Sequence, residues 1–172
     1  MRLKGGDPLI FGRGGEEVAH LQAAGINVQV VNGITAGLAA STALNVALTH
    51  RDCAQGVIFV TGHPKTGHLH TDWAALAHSA AHLALTLVIY MGMGQAAVIQ
   101  QGLLHGLPGH TPVAVVQHAS LPTQQHLLAN LHDFAQKAQH SSLGSPAIII
   151  VGDVLAGSAR LADAAPRVMS HV

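Results

Sequence analysis

Gly5-Gly6-Asp7-Pro8 comes after only Met1 and the three residues Arg2-Leu3-Lys4. A glycine-lined acidic loop of this kind follows a strand in a parallel α/β domain, and three residues make only the end of one. The expectation is the later part of a longer α/β enzyme. The next forty residues keep the same grammar. Gly14–Ala24 carries Glu16 and Glu17 in its first turn, Val18, Leu21 and Ala24 behind them, and Gly25 to stop it, which predicts a helix. Ile26–Val31 then reads as a short strand ending at Asn32-Gly33, with Thr35 capping a small-residue helix to about Leu44.

Thr49–Gln55, containing Arg51 and Asp52, interrupts the apolar pattern and is read as a boundary. Residues 1–52 are the remainder of an N-terminal parallel-sheet domain, 53–158 a C-terminal mixed-sheet α/β domain, and 159–172 a loose tail. Within the second, Val57–Thr61, Thr86–Tyr90, Pro112–Gln117 and Ala147–Val151 are expected strands. The stretches Thr71–His78, Gln95–Leu103 and Thr123–Ala138 are expected helices.

Hydrophobic residues make up 49% of the chain and charged ones 9%, ample for a packed core. Eight Lys and Arg balance eight Asp and Glu, so the electropositive face that nucleic acid requires is not expected. Aromatic content of 3% argues against a base-stacking platform. No apolar run approaches the roughly 18 residues of a membrane span, so no membrane partner is expected. The single Cys53 fits a reducing cytoplasm. No Lys or Arg occurs from Thr66 to Gln136, so an anion site must come from the first third, where Arg2, Lys4, Arg13, Arg51 and Lys65 lie.

Five ordered blocks carry a resemblance. They are Leu3-Lys4-Gly5-Gly6-Asp7-Pro8 through Glu17, Gly33-Ile34-Thr35-Ala36, Leu48-Thr49-His50-Arg51, Val60-Thr61-Gly62-His63 and Tyr90-Met91-Gly92. In order and spacing they resemble the uroporphyrinogen-III C-methyltransferases, tetrapyrrole methylases that use S-adenosylmethionine. The resemblance implies the two-domain α/β fold of that family, with an additional N-terminal segment, absent here, that holds its proton-transfer residues. It implies cofactor contacts at Gly5, Gly6, Asp7, Ile10, Thr35, Ala36, Met91 and Ala119, and it implies a homodimer. Main-chain groups at the glycines and at Thr35-Ala36 suit ribose, amino-acid and adenine edges, and Ile10 and Met91 suit apolar walls. The implied substrate is a reduced tetrapyrrole rich in carboxylates, with Arg13, Arg51 and Lys65 as candidate partners and Met91 beside it. Two departures stand out: Asn32 where the family usually has proline, and Gln117-His118-Ala119-Ser120 where it has an acid followed by Asn-Gly-Thr.

Three other patterns are weighed and set aside. Gly92-Met93-Gly94-Gln95-Ala96-Ala97 mimics a dinucleotide fingerprint, but the next expected strand ends in Gln117 rather than an acid that would grip a ribose. Fourteen histidines, with His68, His70, His78 and His82 nearest together, read as polar surface rather than as a metal site, and His63 ranks above the rest. Cys53 has no activating neighbour in the sequence and is not read as a nucleophile.

Overall fold

Short runs rich in β-branched residues, bounded by glycine, build strands, and those of this chain pair into one mixed sheet. The computed structural model describes residues 1–63 and 70–156. The strands are β1 (Gly56–Thr61), β2 (Leu85–Tyr90), β3 (Pro112–Gln117), β4 (Gln125–Asn130) and β5 (Ala147–Val151), in spatial order β1-β2-β5-β3-β4. β1 and β2 are parallel, and β5 runs antiparallel between β2 and β3. Hence β1, β2 and β3 point the same way and end at the same edge.

The sheet's alternation sorts its residues into two buried layers. Leu87 and Ile89 of β2, with Val113, Val115 and Ile149, face α3 (Trp73–His82), α4 (Ala96–Leu103) and α5 (Phe134–His140). Val88 and Tyr90, with Ala114, Val116, Ile148 and Ile150, face α2 (Ala36–Ala43) through Ala40 and Leu44. Leu87, Ile89, Ile149 and Phe134 are wholly enclosed, each worth about 1.5–3 kcal/mol relative to exposure. α2 fits because its small residues let the helix lie close to β2. A Cβ on Gly37 would stand 2.7 Å from Val88 Cγ1. α1 (Gly14–Ala23) starts where the Gly14 amide donates to the Pro8 carbonyl at 2.9 Å, and it ends at Gly25, whose φ is +74°. Among the described residues no helix is long and apolar enough to cross a membrane.

The fold departs from expectation at two places. Ile26–Val31 pairs with no strand and lies extended and largely exposed, because its backbone has no ladder partner among the described residues. The expected helix Thr123–Ala138 is a strand, a turn and a helix: β4 pairs with β3 from Pro112↔Asn130 to Gln117↔Gln125, and α5 begins only at Phe134. Residues 157–172, and with them the expected tail, lie outside the described residues, as do Lys65 and His68.

Candidate functional site

The shared edge of β1, β2 and β3 gathers three segments that are far apart in sequence: Thr61-Gly62-His63, Tyr90-Met91-Gly92 and Gln117-His118-Ala119-Ser120. The first two are in direct contact. The Gly62 amide donates to the Tyr90 carbonyl at 2.7 Å, and a Cβ on Gly62 would stand 2.6 Å from Gly92 Cα. Close approach thus accounts for Gly62 and Gly92, whereas a Cβ on Gly94 would meet nothing within 4 Å.

Tyr90 fastens two further segments to this edge. Its hydroxyl lies 2.7 Å from Thr35 Oγ1 and accepts the Gly37 amide at 2.8 Å, while its ring centroid is 4.7 Å from that of Phe11 and 6.0 Å from that of Phe59. Thr35 occupies the N-cap position of α2, as expected, but its hydroxyl meets Tyr90 and caps no helix amide. Three of the chain's five aromatic residues therefore meet at one point. The glycine loop is joined to the Thr35 turn as well. Asp7 Oδ1 accepts the Leu9 amide at 2.8 Å and Oδ2 accepts the Gly33 amide at 3.1 Å. A Cβ on Gly33 would run into the Gly6 carbonyl. Beside this loop, Lys4 Nζ is 2.7 Å from Glu17 Oε1, and the hydrogen bonds of Lys4 and Arg2 hold the Glu17 carboxyl below its ordinary range.

The expected site residues do not all come together. Gly5 faces open space, and Gly6 takes a φ of +70° against Ile34. Ile10 is 37% exposed and Met91 51%, each next in sequence to a member of the Phe11–Tyr90 pair. Thr35 is buried and Ala36 exposed. Ala119 is half-buried and packs against the α2-side core; its neighbours His118 and Ser120 take the left-handed conformation. Arg13 sits on the glycine loop with its guanidinium 2.7 Å from Glu16, and that hydrogen bond raises its pKa further. Arg51 lies in the tight turn closed by His50 and Ala54, ahead of the start of β1, and is not brought beside Tyr90. Among the described residues no group of three or more His, Cys, Asp or Glu is placed to hold a metal ion.

Among the described residues, five of the seven non-glycine residues with positive φ, Phe11, Arg13, Met91, His118 and Ser120, lie in these loops. Such conformations cost energy and persist where the surroundings over-determine them. Sequence reasoning missed Tyr90, Phe11 and Gly37 as parts of the site. The available signal was the scarcity of aromatic residues, with the only tyrosine ending an apolar strand.

A mixed sheet covered by helices, with β1, β2 and β3 ending together in short, glycine-rich loops, defines a protein of the α/β class, in which ligands commonly bind outside the carboxyl ends of the strands. Comparison with known families is more specific: the model of the tetrapyrrole (corrin/porphyrin) methylases matches residues 1–135, and the chain belongs to that family. It is 47% identical over 156 residues to the chloroplastic S-adenosyl-L-methionine-dependent uroporphyrinogen III methyltransferase of Arabidopsis thaliana, covering 90% of this chain and 42% of that protein. It is 49% identical over 156 residues to a siroheme synthase of Escherichia coli, covering 90% and 33%. The fold is similar to the uroporphyrin-III C-methyl transferase from Thermus thermophilus crystallised with S-adenyl homocysteine. There the TM-score is 0.76 and the identity 37%, over 91% of this chain and 66% of that one. The chain thus spans less than half the length of these curated relatives.

Proposed function

We propose that this chain serves S-adenosylmethionine-dependent C-methylation of uroporphyrinogen III to precorrin-2, as part of a tetrapyrrole methylase. The observation that carries the reading is the pair of ties, Asp7 to Gly33 and Tyr90 to Thr35, that gathers the glycine loop, the Thr35 turn and Met91 at one edge. The cradle suits a nucleoside sulfonium: Gly5 opens on space, Ile10 and Met91 offer apolar walls, and the loop backbones offer polar groups. When bound, S-adenosylmethionine would supply an electrophilic methyl group. The chain's own residues would bind and orient. Gly5, Gly6, Asp7, Thr35, Ala36 and Ala119 hold the cofactor, and Ile10 and Met91 exclude water from the reacting centre. Arg13 is assigned to a substrate carboxylate, which it would take by exchanging Glu16 for the substrate, while Arg51, expected beside it, lies at the other end of β1.

Residues 1–52 are read as cofactor domain and 53–158 as the second domain, with Tyr90 crossing between them. The siroheme synthase relatives support siroheme supply ahead of cobalamin. A cytoplasmic homodimer completes the reading.

Calorimetry with S-adenosylhomocysteine tests it. Saturable binding that weakens sharply in Gly33→Val supports the site, and no heat, or heat indifferent to that change, refutes it. Mass spectrometry of products from uroporphyrinogen III tests the reaction, with two added methyl groups expected.

A second reading is a catalytically silent, dimerising module. It is favoured by the exposure of Leu3, Leu9, Phe11, Ile26, Val31 and Ile34, apolar side chains that a second copy could cover. Under it the 172-residue chain binds cofactor weakly and turns over slowly or not at all. Turnover equal to that of a full-length relative refutes it.

A further inference from the structure

We infer that Tyr90 is a positioning residue, a helix cap supplied from across the core that sets the Thr35-Ala36-Gly37 turn for its ligand. This role rests on the proposed cofactor site and adds a residue to it.

Thr35 stands at the N-cap of α2, where a threonine hydroxyl ordinarily accepts an amide from the first turn. Here it makes no such bond. The Gly37 amide, the second of the helix, goes instead to the Tyr90 hydroxyl at 2.8 Å, so a strand residue 53 positions away does the capping. Gly37 must lack a side chain for this, since a Cβ would lie 2.5 Å from that same oxygen. The phenol is 6% exposed and Thr35 5%, so water competes little for either group.

Proton counting gives the hydroxyl pair a further property. A phenol and an alcohol 2.7 Å apart share one hydrogen bond and use one of their two hydroxyl protons. The Gly37 amide consumes an acceptor site and supplies its own proton. One hydroxyl proton of the pair is left over, next to Ala36, which is exposed on the proposed cofactor face. The ring adds to the positioning: it packs on Phe11 and Phe59, and Met91 follows it in a left-handed conformation.

The test is calorimetry with S-adenosylhomocysteine on the 172-residue chain and four variants. Tyr90→Phe keeps the ring and removes the hydroxyl that caps Gly37; affinity is expected to fall about tenfold as the turn loses that buried hydrogen bond. Thr35→Ser keeps a hydroxyl and should bind like the parent. Thr35→Val removes it but leaves Gly37 capped by Tyr90, and should lose less affinity than Tyr90→Phe. Leu155→Ala weakens the same core layer away from the Gly37 turn, and should lower the melting temperature but leave affinity unchanged. Amide exchange supplies a readout independent of ligand: Gly37 should lose protection in Tyr90→Phe and keep it in Thr35→Val. Parent-like affinity in Tyr90→Phe, or an equal loss in Leu155→Ala, overturns the positioning role while leaving the cofactor reading in place. No binding by the parent chain overturns the cofactor reading itself, and the positioning role with it.

Discussion

The Asp7 carboxylate accepts the Gly33 backbone amide at 3.1 Å, joining two loops that are 26 residues apart. Its other oxygen is occupied by the Leu9 amide. Asp7 is therefore first a clasp between loops, and any ligand contact uses lone pairs left over from that work. Asp7→Ala should raise the dissociation constant for S-adenosylhomocysteine by about 10-fold or more, since hydrogen bonds to a charged acceptor are worth about 1.5–3 kcal/mol. The Gly33 amide should exchange faster in the same variant without ligand present. A Gly33 amide that keeps its protection would mean that the clasp does not hold in solution.

Arg13 makes the opposite prediction for stability. Its pair with Glu16 is solvent-exposed on both sides, and such pairs contribute between about 0 and 1 kcal/mol. Arg13→Ala should leave the melting temperature nearly unchanged while raising KM for a carboxylate-rich tetrapyrrole at least about tenfold, because a guanidinium is lost where a carboxylate must bind. A change in kcat with KM constant would place Arg13 elsewhere in the reaction.

How much of the fold was legible in the sequence depended on how local the cause was. α1 was readable because Glu16, Glu17 and Gly25 mark both of its ends within a dozen residues. β2 and β5 were readable because Leu-Thr-Leu-Val-Ile-Tyr and Ala-Ile-Ile-Ile-Val are too β-rich to be anything else. β4 was not: Gln-His-Leu-Leu-Ala-Asn favours helix by composition, and pairing with β3 overrides it. Four of the five sequence blocks supply the loops gathered at the Tyr90 end of the sheet, Leu48–Arg51 being the exception, but none showed the Tyr90–Thr35 bond across 55 positions. Nor could the sequence show that Thr35 delegates its capping role, since nothing local distinguishes it from an ordinary N-cap.

The unpaired segment Ile26–Val31 alternates apolar and polar residues as a strand does, yet has no ladder partner among the described residues. Its amides should exchange within the dead time of a native-state experiment, whereas those of Val113–Val116, central in the sheet, should be the slowest in the chain. Replacing exposed Val31 and Ile34 together by lysine should suppress aggregation with little effect on the melting temperature. Protection of Val28 and Val30 comparable to β3 would show that the segment finds a strand partner, a second copy being the available one.

Acid sensitivity should trace in part to Asp133. Burial alone would raise its pKa, but the hydrogen bond from Lys137, the Asn130 amide and the nearby charge of Lys137 and His132 outweigh burial and lower it. Lys137 Nζ lies 2.8 Å from Oδ2, and the Asn130 amide donates to Oδ1 at 3.0 Å, so the carboxylate fastens the end of β4 to the start of α5. A carboxyl whose pKa is lower folded than unfolded stabilises fully above the unfolded value, about 3.9, and loses that contribution as pH falls through the folded value. Melting temperatures of the parent and Asp133→Asn should therefore differ by a constant amount from pH 7 to about 5, corresponding to no more than about 1 kcal/mol, and converge below about pH 4. A gap that persists undiminished at pH 3 would mean that the side chain's shape, not its charge, holds β4 to α5.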